Sequence, residues 1–68
     1  MKIVRLTPQQ TKLIKLICKQ LTSKEIAVKT DLSFRTVEDY RRKIIKKIRA
    51  KNSVGIVIYA VKSGIYKV

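Results

Sequence analysis

Two strings fifteen residues apart do most to decide what this chain can fold into: Thr7-Pro8-Gln9-Gln10 and Thr22-Ser23-Lys24-Glu25. In each, a threonine stands three residues before a glutamine or glutamate. That spacing lets the threonine hydroxyl accept an orphan backbone N–H while the longer side chain reaches back to the threonine's own N–H, so both strings read as helix starts. Pro8 has the fixed φ that suits a first helical position, and Glu25 puts a negative charge at the positive end of a helix dipole. Leu13, Ile14, Ile17 and Leu21 follow the first start as a 3.6-period stripe and predict a helix over about 8–20. Ile26 and Ala27 follow the second, which predicts a short helix over 23–30. Asp31-Leu32-Ser33 is then a tight connection: Asp31 tolerates the left-handed conformation such a turn needs, and Ser33 is a good N-cap for a third helix.

The third segment, 34–49, is the longest periodic one. At 100° per residue Val37, Tyr40, Ile44, Ile45 and Ile48 fall on one side and are the expected core. Arg35, Glu38, Asp39, Arg42, Lys43, Lys46 and Arg49 fall on the other. From Arg35 to Lys51 there are eight basic and two acidic residues, a net of +6. Two helices joined by a tight turn, the second longer and basic, form a helix-turn-helix. A B-DNA major groove, about 12 Å wide, admits one α-helix, with the preceding helix across the backbone. The amides around Ser23 and Lys24, and Ser33 and Thr36 at the start of the reading helix, are then candidates to hold phosphates.

The tail is ambiguous on local grounds. Ser53 could cap a helix stopped by Gly64. Against that, Val54, Ile56, Val57, Ile58 and Val61 are β-branched and Gly55 costs about 1 kcal/mol in a helix interior, so propensity divides evenly between helix and strand.

Composition agrees with a small nucleic-acid-binding domain. Sixty-eight residues make one domain, 1–68, with 46% apolar residues for a core. Seventeen basic residues against four acidic ones give a net charge of +13, which points to a polyanion. There is no histidine, no phosphate-cradling glycine loop, and a single cysteine, Cys18, expected as a small buried hydrophobe. Catalytic residues, metal ligands and cofactors are therefore expected to be none. Without a ~20-residue apolar stretch or a secretory leader, the expectation is a cytoplasmic protein that does not enter membranes.

In combination the residues resemble a known family. Leu6-Thr7-Pro8, Leu21-Thr22-Ser23-Lys24-Glu25-Ile26-Ala27, Arg35-Thr36-Val37-Glu38, Tyr40-Arg41-Arg42-Lys43-Ile44, and the tail Asn52 to Ile65 with Tyr59-Ala60 and Gly64-Ile65 resemble the LuxR-type (GerE-like) helix-turn-helix domain of bacterial transcriptional regulators. The match runs over roughly residues 6–66. The resemblance implies an all-α, four-helix fold with 54–63 helical, overruling the local strand signal. It implies double-stranded DNA as partner and a role as output domain of a transcriptional regulator, with a two-component response regulator one form. RNA polymerase is a further candidate partner. It also implies that Glu38, Asp39 and Arg42 approach base edges while Lys24, Ser33, Arg35, Thr36, Lys43 and Lys46 contact phosphates. The fourth helix would mediate a homodimer on DNA. That helix is apolar nearly all round; if Val57, Ala60 and Val61 serve the core, Ile56, Tyr59 and Ser63 are the dimer-interface candidates. The chain departs from the family at Gln20 and Asp31, where glycine is common, at Gln10 for a common glutamate, and at Gly55 for a polar helix former. A start only five residues before Leu6 favours an excised module over a free-standing protein.

Rival readings are a sigma-factor region-4-like promoter-binding module, which would normally finish on its reading helix, and a basic amphipathic membrane-surface domain. The two capping boxes and tight turn favour a packed domain. An RNA role lacks an aromatic stacking platform.

Overall fold

The structure is a computed structural model, and it describes residues 4–67. Its order is α1 (Pro8–Cys18), α2 (Ser23–Thr30), α3 (Phe34–Ile48) and α4 (Ser53–Ser63), an all-α arrangement with no strand among the described residues. Both capping boxes form: Thr7 with Gln10, and Thr22 with Glu25, each exchanging backbone-to-side-chain bonds in both directions. Ser33 caps α3 by accepting from the Thr36 N–H at 3.1 Å. The fourth cap is Asn52 rather than Ser53, its side chain accepting from the N–H groups of Val54 and Gly55. The helix therefore starts one residue before the expected 54.

Two expected C-termini move inward, because a residue with positive φ closes the helix sooner. Gln20 (φ 67°) follows α1, ending it at Cys18 instead of 20, and Arg49 (φ 59°) ends α3 at Ile48 instead of 49. Asp31 (φ 58°) closes α2, as its position in the turn predicted. In all three the next residue donates back to the helix: Leu21 to the Leu16 carbonyl, Leu32 to Ala27 and Ala50 to Ile45. This is the closure usually built on glycine. Leu21 and Leu32 are thereby folded back against the core.

The core draws on all four helices: Leu13 and Ile14 from α1, Ile26 from α2, Val37 and Ile44 from α3, and Ile56 from α4 have at most 1% of their surface exposed. Each such side chain contributes about 1.5–3 kcal/mol on burial. Tyr40, Ile45, Ile48 and Cys18 pack around them, partly buried. Cys18 is thus less enclosed than its apolar run suggests, yet enough to raise its thiol pKa by desolvation.

Gly55 lies at a close approach between α4 and the chain that leads into it. A Cβ built on it would lie 2.7 Å from the Cβ of Ala50, closer than two carbon atoms pack. The missing side chain lets α4 approach the α3–α4 connection. That approach turns Ile56, Tyr59 and Ala60 inward, all buried.

Candidate nucleic-acid interface

The inner side of α3 is fixed by Val37 and Ile44, so its opposite side faces solvent. Arg35, Asp39, Arg42, Lys43 and Lys46 are all exposed there, as is Lys24 near the start of α2. These six of the expected DNA-contacting side chains are thus available to a ligand. Arg42 is paired with Asp39: its Nη2 donates to Oδ1 at 2.8 Å, with side-chain exposures of 74% and 51%. An exposed pair one helical turn apart stabilises the helix by only ~0.5 kcal/mol. Its further effect is to bias the guanidinium of Arg42 toward Asp39 on the outward face.

Ser33 and Thr36 are half committed already. Ser33 accepts from the Thr36 N–H and donates to the Thr36 hydroxyl oxygen at 2.8 Å. The Thr36 hydroxyl hydrogen is the group left to offer a phosphate. Phe34, the first residue of α3, is 52% exposed and lies outside the core.

Glu38 differs from the expectation. Helical spacing puts it with Asp39 on the outward face. Its carboxylate instead accepts a hydrogen bond from the Ser23 hydroxyl of α2 and lies 4.0 Å from Arg41 Nε. Glu38 sits on the rim of the exposed face of α3, turned toward α2.

Arg41, to which the sequence motifs alone assign no role, is the centre of this cluster. It is the only basic residue of α3 that is not exposed. Its guanidinium donates to Ser23 Oγ at 3.0 Å and to Ser53 Oγ at the start of α4. A signal for it existed. Val37, Arg41, Ile44 and Ile48 recur at helical spacing, so Arg41 points inward, and an inward guanidinium needs partners.

The dimer-interface candidates need correction. Ile56 has none of its surface exposed and Tyr59 only 7%. The Tyr59 hydroxyl accepts from the Val4 N–H at 3.2 Å. Both belong to the core of one chain. Ser63 is exposed, but its hydroxyl turns back to the Ala60 carbonyl. The free apolar surface of α4 is Val54, Ile58 and Val61, at 65%, 50% and 42% exposure, spaced four and three residues apart on one face. In a helix apolar all round, periodicity finds the stripes without saying which is inward. The Gly55–Ala50 approach decides it.

Among the described residues no helix is long and apolar enough to cross a membrane. No group of three or more candidate ligands among them could hold a metal.

Comparison with known proteins agrees with the geometry. The pattern of the luxR family of bacterial regulatory proteins is matched over residues 4–60. A probable transcriptional regulator ycf29 of Porphyra purpurea is 34% identical over 64 residues, covering 94% of this chain and 31% of that protein. Its namesake in Pyropia yezoensis is 32% identical over 62 residues, covering 91% and 28%. The chain therefore spans less than a third of the length of these curated relatives. With that match across the helix-turn-helix, the chain belongs to the luxR family of bacterial regulatory proteins and carries its DNA-binding domain.

Proposed function

We propose that this domain binds double-stranded DNA sequence-selectively, with α3 in the major groove, and acts as the output module of a transcription regulator. One observation carries the reading. The outward side of α3 presents Arg35, Arg42, Lys43 and Lys46 exposed, while its inner side is locked into the core and α2 is docked across it. Arg42 is the principal base reader, since a guanidinium meets the O6 and N7 acceptors of guanine with two parallel bonds. Asp39 orients Arg42 and can itself accept from a cytosine amino group. Phe34 offers an apolar contact for a thymine methyl. Lys24, Arg35, Thr36, Lys43 and Lys46 hold phosphates, which fix register without reading sequence. Ser33 supports Thr36 rather than the phosphate directly.

The same reading has two copies meeting through Val54, Ile58 and Val61 of α4, so that two reading helices address half-sites about 34 Å apart. The names and the greater length of the relatives support a module within a longer regulator. A response regulator, acting in the cytoplasm on promoter DNA beside RNA polymerase, is the form this reading expects; it assigns the chain no catalysis.

The test is Arg42→Ala against a duplex selected from a random pool and against an unselected duplex. Selected-duplex affinity should fall by about tenfold or more, the equivalent of ~1–3 kcal/mol for one bidentate contact. Unselected-duplex affinity should fall only by the loss of one charge. Equal loss on both duplexes would remove Arg42 from base reading.

A further inference from the structure

Apolar packing holds the four helices together, but it has little directional preference and leaves each helix some freedom to rotate or slide. A directional polar tie removes that freedom. Among the described residues, the only side-chain hydrogen bond joining α4 to the α2–α3 pair is that from Arg41 to Ser53. The same guanidinium donates to Ser23, and Ser23 donates to Glu38, whose carboxylate also faces Arg41 Nε. Ser23 and Ser53 are the first residues of α2 and α4. One planar, always-charged fork thus fixes the starts of two helices against the middle of the third. The Arg41 side chain is only 21% exposed, and it lies on the side of α3 away from Arg35, Asp39, Arg42 and Lys46. No buried side-chain nitrogen or oxygen among the described residues lacks a partner, so the cluster is complete without DNA.

We infer that Arg41 is a positioning residue that sets the angle between the reading helix and α4, and thereby selects the separation of the two DNA half-sites. The inference rests on the reading of α3 as the DNA reader and of α4 as the dimer helix. If α4 meets its twin across a twofold axis while α3 sits in the groove, the α3–α4 angle fixes where the second reading helix lands. Inserting one base pair rotates a half-site by about 35° and shifts it by ~3.4 Å. A rigid clamp resists that change, whereas a pair of helices held by grease alone accommodates it. Glu38 and Ser23 hold the other side of the fork, so the guanidinium cannot swing to follow Ser53.

The test uses the selected duplex in two forms, as a single half-site and as a palindrome with the native separation or one base pair more. The wild-type chain should prefer the native separation by about tenfold, on the scale of the deformation DNA would otherwise undergo. Ser53→Ala, which removes only the α4 arm of the fork, should bind the single half-site within about twofold of wild type and reduce the separation preference to about twofold or less. Arg41→Met should do the same, and Arg41→Lys should not restore the preference, because an ammonium lacks the planar fork. Ser23→Ala, which keeps the α4 arm but frees the other side of the fork, should weaken the preference less than Ser53→Ala does, because Glu38 still faces Arg41. A separation preference that survives Ser53→Ala with full strength overturns the role of Arg41, and so does a loss matched by an equal loss on the single half-site. Should wild type bind the single half-site yet show no separation preference, this inference and the dimer reading both fail. Failure to bind the single half-site removes the DNA reading beneath them.

Discussion

Three helices of this domain close on residues in the left-handed region that carry a Cβ: Gln20 at φ 67°, Asp31 at 58° and Arg49 at 59°, while the fourth closes on Gly64 at 82°. A side chain in that region costs about 1–2 kcal/mol relative to glycine, less for Asp, whose short side chain bonds locally. Glycine returns part of that difference by loosening the unfolded chain, worth about 0.4–1 kcal/mol. All three side chains are exposed, so little packing is lost on truncation. Gln20→Gly should therefore stabilise the domain by about 0.5–1 kcal/mol. In a domain of this size that raises Tm by about 2–8 °C, read from thermal unfolding followed by far-ultraviolet circular dichroism. Arg49→Gly should match it, Asp31→Gly should give less, and the gains should sum if the sites act independently. Lys19→Gly is the control. Lys19 immediately precedes Gln20 but has φ −80°, so glycine there gains only unfolded-state freedom and should lower stability by about 0.4–1 kcal/mol. If Gln20→Gly and Lys19→Gly lower Tm alike, the conformational cost assigned to Gln20 is wrong.

With about five phosphates neutralised per domain, log affinity for duplex DNA should fall against log salt with a slope near −4.5, and Lys46→Gln should flatten it by about one unit; a slope near zero would show that the basic face is not the docking face. The Glu25 carboxylate accepts from the Thr22 N–H and caps reciprocally with the Thr22 hydroxyl, which lowers its pKa. Its contribution is present above the ordinary glutamate range and is lost as pH falls through the lowered folded value. Acid titration of stability should show this loss in wild type but not in Glu25→Gln, which retains the kind of capping box that Gln10 makes. Ile58→Glu should leave single half-site binding and helix content unchanged but weaken cooperative binding to a palindrome by about tenfold or more, because two carboxylates would face each other across the twofold axis; unaltered cooperativity would move the interface elsewhere.

The helix starts were legible because capping is local chemistry: Thr7, Thr22 and Ser33 each act within three residues of themselves. The helix ends were less so. Gln20 and Arg49 do not advertise a left-handed conformation as glycine does, and the helical stripe runs through them unbroken. The inward register of α4 was not legible either, since it depends on the space between Gly55 and Ala50, which no periodicity encodes. At the candidate interface, the outward positions Arg35, Asp39, Arg42, Lys43 and Lys46 followed from helical geometry alone. Glu38 did not, because its direction is set by Ser23 and Arg41, and Ser23 is fifteen residues away in the chain.

The charge distribution bears on how such a face selects DNA. All four acidic residues lie between Glu25 and Asp39, where only Lys29 and Arg35 oppose them, a net of −2. The rest of the chain carries fifteen basic residues and no acidic one. On the proposed docking, the bulk of the domain supplies a long-range field that draws a duplex inward, while the acidic stretch running through α2, the turn and the start of α3 tempers that attraction. Glu38 accepts from the Ser23 hydroxyl and faces Arg41 Nε, and Asp39 pairs with Arg42. The negative charge is thus tied down in fixed directions, and the cations Arg35, Lys43 and Lys46 remain free to follow the backbone. If Arg42 and Asp39 read bases as proposed, a right base pair satisfies the guanidinium and the carboxylate together, whereas a wrong one leaves the carboxylate facing acceptors. Discrimination on this account comes as much from the cost at wrong sites as from contacts at the right one, and the excess cationic charge elsewhere is what keeps that cost from abolishing binding.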